Sequence, residues 1–135
     1  MGSPDNHNAS ALPLDMANAV STCRCRTAHD TPGVGRIIAD ALHRCLGPHP
    51  RCAGGLLHII CVGTDRSTGD ALGPLVGTKL RAFLDQGYDT KLWGTLDEPV
   101  HAGNLAQVLS VLALERDHRH AVLAVDACLG KVGSV

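Results

Sequence analysis

The 135-residue chain is long enough for one modest hydrophobic core and too short for two full domains. Hydrophobic residues make up 44% and charged residues 19%, a balance that excludes a wholly disordered or collagen-like chain. Twelve Lys and Arg against thirteen Asp and Glu give a net charge of −1, and the aromatic residues are Phe83, Tyr88 and Trp93 alone, so neither phosphate neutralisation nor base stacking is provided for and nucleic acid is not an expected partner.

Residues 1–33 mix Pro, Asn, Ser and Thr without a period, end in Thr31-Pro32-Gly33, and read as a mobile leader. The first residues lack the basic and apolar regions of a targeting signal, and no run of about 18 apolar residues is present further on, so a soluble cytoplasmic protein without membrane contact is expected. Six cysteines, at 23, 25, 45, 52, 61 and 128, fall in loop, helix and strand positions alike; that is no secreted disulfide framework, and reduced thiols are expected. Val34, Ile37, Ile38, Ala41, Leu42 and Cys45 share one helical face, predicting a helix over 34–46 stopped by Gly47-Pro48. A connector over 50–55 leads to the apolar run 56–62, which suits a strand covered on both faces. Leu72, Leu75, Val76, Leu80, Phe83 and Leu84 predict a helix over 72–84, with Pro74 in its first turns and Gly87 beyond its end. A second strand comes next at 91–96, then a helix begun near Pro99 and carrying Leu105, Val108, Leu109 and Leu112, and a third strand at 121–126.

Strand–helix–strand–helix–strand order with crossovers of this length implies parallel strands and right-handed connections. The predicted fold is an α/β three-layer sandwich with strand order 2-1-3, over residues 34–135, whose crevice lies where strands 1 and 3 diverge. The carboxyl ends of all three strands are acidic: Asp65 and Asp70 after the first, Asp97 and Glu98 after the second, Asp126 at the close of the third. Turns and helix N-caps account for single aspartates, Asp70 above all, because it stands just before a helix start. Asp126 resists that reading, since it interrupts an apolar strand and precedes Ala127-Cys128-Leu129-Gly130; it is expected to be buried and to need a partner. Facing Asp70 across the crevice, it would form a pair in which one carboxyl keeps its proton and the other acts as base on water. The same carboxylates, with His101, could instead hold a divalent cation. Arg66 could pair with Asp65 or Asp126, or orient a substrate carbonyl. The Gly63–Asp70 segment matches no phosphate-binding loop pattern, and its two aspartates oppose an anion. Cys23, Cys25 and His29 match no common zinc spacing. His58 reads as a core histidine, Cys61 and Cys128 as small buried hydrophobes with a cysteine–His101 nucleophile as the rarer alternative.

The stretches Cys61-Val62-Gly63-Thr64-Asp65-Arg66-Ser67-Thr68-Gly69-Asp70-Ala71-Leu72-Gly73-Pro74-Leu75-Val76-Gly77, Gly94-Thr95-Leu96-Asp97-Glu98-Pro99-Val100-His101-Ala102 and Ala124-Val125-Asp126-Ala127-Cys128-Leu129-Gly130 resemble the signature segments of the YyaC-type sporulation proteins, described as spore proteases. That family is in turn similar to the spore germination protease, whose catalytic aspartates lie in matching stretches and correspond here to Asp70 and Asp126; Gly69 departs from the Pro found there. The fold is also similar to that of hydrogenase maturation endopeptidases, which place carboxylates and a His around a metal of their substrate. Members of the resembling family continue past the Asp126 loop with further strands, so the resemblance implies a domain incomplete at its C-terminus, open to self-association through the edge of strand 3. The resulting expectation is a peptidase that acts on a spore protein in the sporulating cell or spore, with Asp70 and Asp126 catalytic, Asp65, Arg66, Glu98 and His101 binding substrate, and neither metal nor cofactor. The alternatives are a non-enzymatic binding or regulatory module on the same fold, and a metal-assisted maturation endopeptidase.

Overall fold

A computed structural model describes residues 24–46, 56–84, 89–114 and 120–128. The earlier part of the expected leader, Cys23, the connector over 50–55, Gly87 and Gly130 lie outside these residues. The chain divides between Cys45 and Leu46 into two compact units. In the first, two backbone turn bonds, Thr31 N–H to Ala28 (3.2 Å) and Val34 N–H to Thr31 (3.0 Å), lead into helix α1, Val34–Leu46, where the apolar spacing placed it. Ala41 is its buried residue.

The second unit carries β1 (Leu56–Cys61), a single 3-10 turn (Thr68–Asp70), α2 (Leu72–Leu84), β2 (Thr90–Trp93), α3 (Leu105–Leu114) and β3 (His120–Val125). The three strands form a parallel sheet in the order β2-β1-β3, with β1 central, as its continuous apolar run requires. Leu57 aligns with Thr90 on one side and with Ala121 on the other. Because the second crossover runs back past β1, right-handed connections put α3 on the sheet face opposite α2. The expected second strand is shortened: it ends at Trp93 instead of 96, because Gly94 takes a positive φ of 89° and residues 95–98 turn.

On one face of the sheet Leu57, Ile59 and Cys61 form a buried cluster, packed by Val76, Leu80 and Leu84 of α2 and flanked by Leu92 and Leu123. The other face also excludes water at its centre, where His58 and Ile60 are buried and the indole N–H of Trp93 donates to His58 Nδ1 at 3.4 Å. The helix face used by α2 is not its bulkiest: Leu72, Leu75 and Phe83 are exposed, while Gly73, Pro74 and Gly77 are buried. A Cβ on Gly73 would meet the carbonyl of Val62, and one on Gly77 the carbonyl of Gly94. Two glycines four residues apart thus let the helix backbone lie directly on the carboxyl ends of β1 and β2. Pro74 costs no hydrogen bond, since the first helical bond runs from Leu75 N–H to Ala71 (3.1 Å) and the earlier N–H groups have no intrahelical partner in any helix. Among the described residues, no helix is long and apolar enough to cross a membrane.

Candidate functional site

The chain leaves β1 through Val62, whose N–H donates to Val125 (2.8 Å) and which bridges Val100 in parallel; the N–H of Gly63 then donates to Val100 (2.8 Å). Three segments from distant parts of the sequence therefore meet at the carboxyl end of the sheet. Gly63 turns away with a φ of 145°, and a Cβ there would collide with the carbonyl of Asp70. That carbonyl accepts from Thr64 N–H (3.1 Å), and the N–H of Asp70 donates to Ser67 (3.0 Å), which closes residues 64–70 into a tight loop lying back on β1. The backbone N–H of Arg66 is turned inward onto Thr64 Oγ1 (3.2 Å).

A cavity of about 570 Å³ opens here, lined by Thr64, Asp65, Arg66, Asp70, Pro99, His101 and Ala102. The loop after β1 thus contributes Asp65, Arg66 and Asp70, and the loop after β2 His101, to one space. Asp70 is half-buried, and its carboxylate makes no hydrogen bond to another described residue, so the helix-cap role open to it in the sequence is not taken up. Asp65 and Arg66 are exposed, and neither forms an ion pair with another described residue; the pairing considered for Arg66 does not occur there. Asp126 comes directly after Val125 at the same end of the sheet but is not among the residues lining the cavity. The expectation that Asp126 is buried is corrected: β3 makes its last pairing at Val125, and the side chain one residue beyond stands exposed.

His101 is held with unusual completeness. Its backbone N–H donates to Asn104 Oδ1 (2.8 Å), its carbonyl accepts from Asn104 and Leu105 N–H (3.0 and 2.9 Å), and its Nδ1 accepts from Gly103 N–H (3.1 Å). An Nδ1 that accepts leaves the proton of a neutral imidazole on Nε2, so the ring offers a donor at its outer edge. Asn104 completes the brace by donating from Nδ2 to Pro99 (3.0 Å).

Glu98 is placed apart from Asp65 and Asp70. Its carboxylate takes Arg81 of α2 at 3.4 Å, and Arg81 also reaches Asp97 at 3.7 Å and Thr95 Oγ1 at 3.1 Å. Thr95 is the centre of this turn: its buried hydroxyl accepts from Arg81 and from Glu98 N–H (3.1 Å), while Leu96 N–H is taken by Thr78 of α2 (2.9 Å). Sequence reasoning did not single out Arg81, Thr95 or Asn104. Asn104 carried a usable signal, an Asn immediately before an apolar helical run; Arg81 and Thr95 carried none, because their meeting depends on α2 lying against the 94–98 turn.

Burial raises the Cys61 thiol above its ordinary value, and with no exposure at all it packs as part of the core, away from the nucleophile role considered for it. Cys128 is exposed, against the expectation of a buried hydrophobe. Among the described residues, no three His, Cys, Asp or Glu side chains converge as a metal site requires.

The arrangement is that of an α/β domain with a carboxylate-bearing cavity at the carboxyl end of its parallel sheet, the position where open α/β sheets bind ligands. Residues 35–135 match the family described as "Protein of unknown function (DUF1256)", and the chain belongs to it. It is similar to the uncharacterized protein YyaC of Bacillus subtilis (strain 168), with 46% identity over 86 residues, 63% of this chain and 40% of YyaC. The chain therefore spans well under half the length of that relative in the matched region. No solved structure matches it.

Proposed function

We propose that the chain carries the catalytic face of a peptidase of the spore-protease type, in which Asp70 and Asp126 act as the acid–base pair on a peptide bond of a spore protein. The observation that carries the reading is the carboxylate of Asp70, which caps no helix and instead lines the cavity with Asp65, Arg66 and His101, at the end of the strand next to the one that delivers Asp126. One carboxylate takes a proton from water as the oxygen adds to the carbonyl carbon; the other, protonated, gives its proton to the departing amide nitrogen. Nε2–H of His101 and the guanidinium of Arg66 are the donors for the carbonyl oxygen as it gains charge. Asp65 flanks the scissile bond, and Glu98 acts from the neighbouring turn. A binding or regulatory module on the same fold is the second reading, favoured by the exposure of Asp126 and its absence from the cavity lining, since an acid–base pair must reach one bond together.

The test is incubation of this chain, and of Bacillus subtilis YyaC, with spore protein extract, read by mass spectrometry of the peptides released. Asp70→Asn and Asp126→Asn should each lower cleavage by about 10²-fold or more. Their stability should stay within about 0.5 kcal/mol of the parent, because neither side chain is bonded to another described residue. No cleavage by either protein, or full activity in both variants, would replace the peptidase by the binding module.

A further inference from the structure

A second cavity of about 500 Å³ adjoins the first: Pro99 and His101 line both. Its walls come from the end of β2, from the turn after it and from α3, with Leu92, Trp93, Val100 and Val108 supplying apolar surface. Several of the polar groups around it are engaged within the protein, while the exposed Glu98 carboxylate and the outer edge of the His101 ring stay open to solvent. Arg81 is taken up by Thr95 and Glu98, the amide of Asn104 by His101 and Pro99, and the indole N–H of Trp93 by His58. Between these polar groups the apolar walls offer a ligand shape and contact, and the volume lies in the range of small-ligand pockets. Among the described residues β2 pairs with β1 alone, so its outer edge offers backbone hydrogen bonds along the same wall.

We propose that this cavity is a side-chain subsite for an aromatic or branched aliphatic residue of a peptide whose backbone continues past His101 into the aspartate cavity. The proposal rests on the peptidase reading for the direction of the peptide, but its binding step does not require turnover. His101 is the partition between the two spaces, fixed by the brace of Asn104 and Gly103, so a residue seated against Trp93 brings its neighbouring peptide bond to the imidazole edge. Selection then comes from an apolar anchor next to the reacting bond, and the carboxylates need read no side chain.

Trp93 is the sole tryptophan of the chain and lines the subsite, so its emission reports occupancy directly. The unaltered 135-residue protein is titrated with acetyl-Gly-Gly-Phe-Gly-Gly-amide and with the same peptide carrying Asp in place of Phe, up to about 1 mM, the range in which a single anchor sustains binding. The Phe peptide should shift the emission and bind at least about tenfold more tightly than the Asp peptide, the scale expected from burying one aromatic side chain. Val108→Phe, which fills the cavity from α3, should abolish the shift while circular dichroism remains that of the parent. No emission change with the Phe peptide, equal affinity for the two peptides, or undiminished binding by a folded Val108→Phe protein would overturn the subsite. Selective binding without any cleavage of spore proteins would leave the subsite standing and remove the peptidase; cleavage indifferent to the anchor residue would do the reverse.

Discussion

Replacing Gly77 by alanine tests the closest backbone approach among the described glycines. In an exposed helix the change is favourable by about 1 kcal/mol, since alanine loses less backbone entropy than glycine. Here the added methyl would land on the carbonyl oxygen of Gly94, with the Gly94 carbonyl carbon and the Cys61 Cβ behind it. None of these is the end of a flexible side chain. Gly94 is itself wedged at positive φ, where its own hydrogen faces the carbonyl of Cys61, so it cannot retreat without breaking the sheet end. Overpacking a rigid contact costs about 1–3 kcal/mol, and against backbone the upper part of that range applies. Subtracting the propensity gain leaves a net loss of about 2 kcal/mol, or about 30-fold in the folding equilibrium. Urea unfolding monitored by Trp93 emission measures it, because that indole is hydrogen-bonded inside the sheet. Gly35→Ala in α1 is the matched opposite, since no atom of the described residues lies within 4 Å of its Cβ position, and it should raise the helix signal in a thermal melt. A Gly77→Ala protein as stable as the parent would refute the account of how α2 is seated.

Thr95→Val should destabilise by about 1–3 kcal/mol in the same urea assay, because it strands the Glu98 N–H and removes the inner anchor of Arg81. Glu98→Gln, which alters only an exposed ion pair, should change stability by less than about 1 kcal/mol. Cys61 sets an alkaline limit. Burial raises its thiol pKa, so the folded state holds that proton more tightly than the unfolded chain; its contribution is complete below the unfolded thiol's pKa and is lost as pH rises through the folded one. Urea midpoints should therefore fall from neutral pH to pH about 9.5, and less steeply in Cys61→Ala, a thiol with an ordinary free value of about 8.5 being removed; parallel falls in both proteins would remove Cys61 as the cause. Finally, β3 is an edge of the described sheet and Val122 is 53% exposed, so light scattering after size exclusion should show association growing with concentration, reduced by Val122→Lys. A monomer throughout the micromolar range would contradict this.

Periodicity carried the architecture. The unbroken apolar run at 56–62 requires cover on both faces and so a central parallel strand, and the order of elements with right-handed crossovers leaves 2-1-3 as its arrangement; both hold. The acidic strand ends were legible for the same reason, since parallel strands deliver their carboxyl-terminal loops to one end of the sheet. Tertiary structure alone decided the rest. Which apolar residues of α2 face the sheet was set by backbone approach: glycines at 73 and 77 allow contact that no larger side chain permits, so Leu72, Leu75 and Phe83 turn outward although the helical spacing admits them to the core. Asp126 is exposed because pairing stops one residue before it, a matter of register that no local pattern records. The division of the acidic residues into two neighbouring cavities, with Glu98 drawn to Arg81 and Asp70 left beside His101, arises because α2 brings Arg81 across the sheet end to the turn after β2. That encounter joins residues distant in sequence, and only the packed chain contains it.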